Sequence, residues 1–267
     1  TQTQASISRA GLRNKEVHGT ISRAAQESMQ RLKLTMHETP REHRLEHVAR
    51  EDREAKKLQL RAGRVEVYTD GGTMPGKPNK SGWGTTVMQD GRVVDQRKAR
   101  LHGQQSNDIA EAMALLQALR IIPPAVEVHF YIDNVGVIQT AQKGKESGPR
   151  ERQKQGGRAV WNRIKALLNN REAAAEMEWV HSHVDDENRR QMSEGCRWTC
   201  ACGGSKHTPC DPEHAHHKGN ETADELATQA IEMDIPTETQ LSCLHGEERY
   251  YISNGRGEIN QGDIASM

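Results

Sequence analysis

The sequence predicts an α/β domain, a five-stranded mixed sheet with helices packed on it. Three observations carry this. Between residues 64 and 233, short runs alternate apolar and polar residues with the period of a strand. Segments with helical spacing separate the later runs. The order is strand-strand-strand-helix-strand-helix-helix-strand-helix, a hairpin meander followed by crossover helices, which requires both antiparallel and parallel pairs.

The first strand is read from Val65, Val67 and Thr69, which alternate with Glu66, Tyr68 and Asp70 before Gly71-Gly72. A loop rich in Pro, Gly and Asn leads to a second strand, Gly82–Met88. Asp90-Gly91 then turns the chain into a third, Arg92–Arg100, because Asp-Gly suits the left-handed backbone of a two-residue hairpin. Ser106 is placed to cap a helix running to about Arg120, which Pro123-Pro124 ends. Val126–Ile132 is the fourth strand, Asn134–Gln142 a short helix, and Gly157–Asn170 a longer helix with Val160, Ile164, Leu167 and Leu168 on one side. Glu176–His181 is the fifth strand. Residues 184–216 read as a long irregular loop, and Gly219–Met233 as the closing helix.

The composition fits one core with polar sequence attached. In 267 residues, hydrophobic types make up 34%, charged types 28%, and the mean hydropathy is −0.87. The expected division is a basic helical arm over 1–62, a folded domain over 63–233 and a tail over 234–267. Helical stretches are expected in the arm at 21–34 and 42–60. No apolar run reaches the ~20 residues of a membrane helix, and no basic-then-apolar leader opens the chain. Five cysteines without such a leader point to a reducing, intracellular setting, cytoplasmic or nuclear. The absent initiator Met, the arm and the acidic tail lead to the expectation of a segment cut from a longer polyprotein.

Net charge is zero, from 37 basic and 37 acidic residues, but residues 143–165 carry 8 basic and 2 acidic residues. Lys143, Lys145, Arg150, Arg152 and Lys154 lie in this stretch, which suits a polyanionic partner.

Single acids fall at informative places. Asp70 ends the first strand and Asp133 the fourth, each after an apolar-Tyr-apolar/Thr run. If these strands are parallel neighbours, their last residues sit about 4.8 Å apart, at the carboxyl edge where open α/β sheets place ligands. Such close like charges must share a proton or a cation, and hard oxygen ligands suit Mg²⁺ or Mn²⁺. Glu111 leans towards the apolar face of its helix with Leu115 and Ala118, where a carboxylate needs a partner. Asp224 lies early in the last helix, near its positive end.

At these residues the sequence resembles the ribonuclease H family, both the type 1 enzymes and the RNase H domains of retroelement reverse transcriptases. The resemblance rests on Tyr68-Thr69-Asp70-Gly71-Gly72 with Ser81-Gly82-Trp83-Gly84, on Ser106–Ala114, on Tyr131-Ile132-Asp133-Asn134, on Ala159–Ile164, on Trp179-Val180-His181-Ser182-His183 and on Gly219–Ala227, in family order across about 64–232. It implies an RNase H-like fold with helices on both faces of the sheet, from which this sequence departs by a long Cys/His-rich insertion before the last helix. It implies hydrolysis of the RNA strand of RNA–DNA hybrids, with Asp70, Glu111, Asp133 and Asp224 holding two Mg²⁺ (or Mn²⁺) ions. It matches Asn107 to a groove-contacting position, whereas Asp108 departs from the usual Asn. It places the basic stretch where some members carry a substrate handle, here without that handle's Trp-rich helix. The polyprotein parent would be a retroelement reverse transcriptase.

The family also has a mobile His after the fifth strand, about ten residues before the last Asp. Here an insertion separates those landmarks. His183 fits by its place after Trp179-Val180, His214 by its spacing to Asp224, and His217 by nearness to the last helix. His183 is preferred because the strand end fixes where it emerges. The insertion contains Cys196, Cys200, Cys202 and Cys210, with His207, His214, His216 and His217 nearby. Four thiolates suit one structural Zn²⁺, with free thiols, or other redox or metal chemistry, as the alternatives. The rival functions are another enzyme of the same superfamily, such as a strand transferase, resolvase or exonuclease, and a non-catalytic nucleic-acid-binding domain.

Overall fold

The computed structural model describes residues 30–31, 35–38, 58–61, 63–76, 79–101, 105–143, 157–186, 196–234 and 250–253. The strands are β1 (Thr35–Glu38), β2 (Val65–Met74), β3 (Lys80–Gln89), β4 (Arg92–Arg100), β5 (Val128–Ile132), β6 (Ala175–Trp179) and β7 (Tyr250–Ser253). The helices are α1 (Asn107–Ile121), α2 (Val135–Gln142), α3 (Arg158–Asn169) and α4 (Ala215–Ile231).

The expected mixed sheet is present, with strand order β4-β3-β2-β5-β6. β2 pairs antiparallel with β3, and β3 with β4, while β2–β5 and β5–β6 are parallel. The β3–β4 turn places Asp90 at φ 53° and Gly91 at φ 72°. These left-handed values are what a type I′ hairpin turn demands of its two central residues.

Glycines let two helices approach opposite faces of the sheet. A Cβ on Gly71 would stand 2.2 Å from the Glu111 amide nitrogen of α1, and one on Gly84 would stand 2.4 Å from the Ala223 carbonyl of α4. The Cβ of Gly72, next along β2, would point instead to Ile231 of α4, as alternation across a strand requires. The core between these layers includes Tyr68, Phe130, Tyr131, Ile132, Leu115 and Leu116, all fully buried. α1 is buried along almost its whole length from Ile109 to Ile121, as expected of a helix apolar on most sides. Its N-terminus is capped by Ser106, whose hydroxyl accepts from the Ile109 amide over 3.4 Å.

Three expectations change. The last helix begins at Ala215, four residues early, because His214 caps it; its Nδ1 accepts from the His216 amide over 3.2 Å. A neutral imidazole supplies the acceptor that Ser, Thr, Asp or Asn usually provides. The irregular segment therefore ends before 215. The arm and tail also hold strand: β1 and β7 pair antiparallel, with Thr35 opposite Ser253 and Glu38 opposite Tyr250. Ladder pairing between segments this distant leaves no local helical or strand signal strong enough to read. Of the expected arm helices, 21–34 lies almost entirely outside the described residues. For 42–60 only Leu58–Leu60 are described, and they are not helical.

Candidate active site

The acids meet where the parallel register predicts. Thr69 pairs with Ile132 across β2 and β5, so Asp70 and Asp133 come side by side; Asp70 does not end its strand as expected, because β2 runs on to Met74 in antiparallel pairing with β3. Glu111 comes down on them from α1, whose backbone approaches β2 at Gly71. Carboxylate oxygens of Asp70, Glu111 and Asp133 lie within 4.8 Å of one another. Asp224 stands beside this group on α4, in mid-helix rather than near its start because the helix begins at Ala215, and its charge raises the carboxyls of Asp70 and Asp133.

Neighbouring groups hold these acids in place. Trp179 donates its indole N–H to the Asp133 main-chain carbonyl over 2.9 Å, and the Val180 amide donates to the Ile132 carbonyl over 3.1 Å. The end of β6 thus fixes the chain at Asp133. Asn134 caps α2 with its Oδ1, which accepts from the Gly136 amide over 2.9 Å, and its Nδ2 reaches Glu111 Oε1 over 3.5 Å. Asn107 donates to the same oxygen over 3.4 Å. Asn220, buried one turn before Asp224, lies near the Asp133 side chain and works against the rise of its carboxyl. The second carboxylate oxygen of Glu111 and Oδ1 of Asp133 are buried without a hydrogen-bond partner.

Burial and crowding set the electrostatics. Loss of solvent, then the charges of Asp133 and Asp224, push the Asp70 carboxyl up to about 8. Burial and Asp224 push Asp133 up to about 6, with His183 opposing the shift. Glu111 is held well above the usual carboxylate range by burial, then by Asp133 and Asp70. The protein has gathered negative charge that only protons or cations can neutralise.

Of the three candidate histidines, His183 stands closest in role to the acids. It is exposed, takes a left-handed φ of 52°, and lines one cleft with Asp133, Asn220 and Asp224. His214 is the cap of α4 and packs against the His216 ring. His217 borders the cleft, but its ring nitrogens are engaged elsewhere: Nδ1 donates to the His181 carbonyl over 3.1 Å, and Nε2 faces Cys200 Sγ at 3.8 Å.

That engagement corrects the expected set of four cysteines. Cys200, Cys202 and Cys210 gather with His217, their ligand atoms within 4.8 Å of one another. Cys196 is outside the group, its thiol directed to the Trp198 carbonyl at 3.5 Å. Four residues of loop carry Cys196 away, whereas α4 brings His217 in. The signal available in the sequence was its place seven residues before Asp224, two helical turns along one face. Asn220 was likewise missed, though it lies four residues before Asp224 on that face. Asn107 is exposed at the start of α1, and Lys143 is exposed at the end of α2. Lys145, Arg150, Arg152 and Lys154 lie outside the described residues.

Comparison with known proteins gives the same direction. The RNase H family model matches residues 62–192. A ribonuclease H of Verminephrobacter eiseniae is 30% identical over 130 residues, 46% of this chain and 81% of that protein. One from Legionella pneumophila is 32% identical over 112 residues, 41% of this chain and 69% of that protein. One from Chromobacterium violaceum is 28% identical over 171 residues, 63% of this chain and 95% of that protein. Among solved structures, the RNase H1 of Halobacterium salinarum NRC-1 is similar at a TM-score of 0.40 and 20% identity, covering 63% of this chain and 98% of that one. With identity of this order running over most of the length of such enzymes, this chain belongs to the ribonuclease H family, ribonucleases of RNA–DNA hybrids.

Proposed function

We propose that this protein hydrolyses the RNA strand of RNA–DNA hybrids as an endoribonuclease, using two divalent cations, Mg²⁺ or Mn²⁺, held by Asp70, Glu111, Asp133 and Asp224. The observation that carries the reading is the meeting of Asp70, Glu111 and Asp133 where β2 and β5 run side by side, with Asp224 near enough to raise the carboxyls of Asp70 and Asp133. The donor set fits hard cations: it is all oxygen, it bears excess negative charge, and two of its buried oxygens lack any partner. When bound, such a pair lowers the pKa of the attacking water and stabilises the leaving 3′-oxygen.

The chain's own side chains orient and position. Asn134 and Asn107 hold one oxygen of Glu111 and leave the other buried without a protein partner. Trp179 fixes Asp133 by its backbone, and Asn220 lies near its side chain. His183, on its exposed turn at the cleft, is placed to pass a proton between the site and solvent. Asn107, exposed beside Glu111, is placed to touch a minor-groove 2′-hydroxyl of the hybrid, the group that distinguishes RNA from DNA. Lys143, Lys145, Arg150, Arg152 and Lys154 supply positive charge for the backbone. Service within a retroelement reverse transcriptase, removing template RNA after first-strand synthesis, is the setting we propose. Its support is the charge-rich sequence flanking the domain, with 13 basic and 8 acidic residues over 1–63.

The test is cleavage of an end-labelled RNA–DNA duplex with Mg²⁺. Wild type cleaves the RNA strand alone, and Asp70→Asn and Asp133→Asn lose on the order of 10²–10³-fold or more in rate. Folded wild type that binds hybrid without cutting would make this a binding domain, and cutting of plain duplex DNA would favour the strand-transferase rival.

A further inference from the structure

We propose that Cys200, Cys202, Cys210 and His217 bind one structural Zn²⁺ that clamps the start of α4 to the chain leaving β6. The ion thereby holds Asp224 and His183 in place against Asp133. The second half of this statement rests on the catalytic reading above; the metal site itself does not.

Tetrahedral zinc with ligands about 2.0–2.3 Å away brings them to roughly 3.5–3.8 Å from one another. Cys200 Sγ and His217 Nε2 already lie 3.8 Å apart, and all four ligand atoms fall within 4.8 Å of one another. Cys200, Cys210 and His217 are each at most 4% exposed, so the cluster lies inside the fold.

The surroundings are arranged for thiolates and a neutral imidazole. A carbonyl only accepts, so the contact with His181 O at 3.1 Å puts the proton of His217 on Nδ1. Nε2 is left with a bare lone pair facing the sulfurs, the orientation that a metal-bound His gains from its outer hydrogen bond. Two backbone amides donate to sulfur: His181 to Cys200 Sγ and Gly204 to Cys202 Sγ, each over 3.3 Å. The Cys200–Gly204 turn is tight, with Gly203 at φ 85° and its amide donating to the Cys200 carbonyl over 2.8 Å. A Cβ on Gly204 would stand 2.4 Å from Cys210 Sγ and 3.3 Å from Cys202 Sγ. This position must be glycine for the sulfurs to converge. The segment has little apolar content of its own, so a bound ion is a physical means of ordering it. Loading the site with Zn²⁺ releases the three thiol protons.

The connection to the acids is short. His181 and His183 are on the chain leaving β6, and Ala201 donates from the turn to the Trp179 carbonyl over 2.9 Å. On α4, His217, Asn220 and Asp224 follow at spacings of three and four, one face of the helix. His181, His183, His217, Asn220 and Asp224 all line the cleft that contains Asp133.

The full chain, purified under reducing conditions and dialysed against Zn²⁺, should contain one zinc per chain, retained in Cys196→Ser and lost in Cys202→Ser. Cobalt substitution should give a thiolate charge-transfer band of three-sulfur intensity, unchanged in Cys196→Ser. His217→Cys should still bind and raise that band to four-sulfur intensity, a gain that no folding defect produces. Hydrogen exchange of the first turns of α4 should quicken on the order of tenfold when Cys202→Ser removes the ion. Metal-free wild type, or loss of metal in Cys196→Ser with retention in His217→Ala, would overturn the site. Unchanged exchange in α4 on zinc loss would overturn the clamp. A zinc-loaded chain that fails to cut hybrid would count against the nuclease reading alone.

Discussion

Trp179 and Asp133 are joined by a 2.9 Å hydrogen bond from the indole N–H to the main-chain carbonyl. The bond ties the end of β6 to the end of β5, at the residue that brings one of the four acids to the site. Trp179 is therefore a positioning residue as well as part of the core. Trp179→Phe keeps most of the ring and deletes the donor. It should cost about 1 kcal/mol of stability and lower kcat about three- to tenfold with KM for hybrid little changed. Urea melts and steady-state cleavage read the two effects separately.

Crowded acids make the metal-free protein sensitive to pH. Asp70 titrates near 8 in the folded state, against about 3.9 in an unfolded chain. A raised carboxyl binds its proton more tightly when folded. Its stabilisation is complete below about pH 4 and is lost as pH rises through 8. Metal-free wild type should therefore melt at falling temperature from pH 5 to pH 8, by a few degrees for each kcal/mol lost. Asp70→Asn should flatten this slope and melt higher than wild type at pH 8. Added Mg²⁺ should restore wild type and help the variant far less. Calorimetry across this pH range, in chelator and in Mg²⁺, measures all three.

His183 and His214 should separate rate from stability. His183 lines the cleft and makes no cap, so His183→Ala should lower kcat by about 10–100-fold, within the usual range for a lost proton-transfer group, and alter the pH profile while Tm holds. His214 caps α4, so His214→Ala should cost about 0.5–2 kcal/mol with little change in rate at temperatures where the protein is folded. The reverse pattern in pH–rate profiles and thermal melts would assign the proton-transfer role to His214.

Much of this was legible from local pattern. The alternation of Val65, Val67 and Thr69, the Asp90-Gly91 turn and the Ser106 cap are short-range features whose physics lies within a few residues. The runs Tyr68-Thr69-Asp70 and Tyr131-Ile132-Asp133 matched, so a single assumption, parallel adjacency, brought the two acids together. Asn134 and Asn220 were not legible in the same way. Each looks like an ordinary cap or helix polar residue until Glu111 and Asp133 are found beside it.

The amino-acid sequence by itself determined the order of strands and helices from β2 to α4, the turn chemistry and the identity of the four acids. Each of these follows from side-chain period and backbone preference over one or two turns of chain. Only the tertiary structure decided that His217 replaces Cys196 beside the other three cysteines, that β1 and β7 pair, and which histidine faces the acids. Those outcomes depend on distances between segments far apart in the chain. Local preference carries no information about them, because packing of the layers sets the separations.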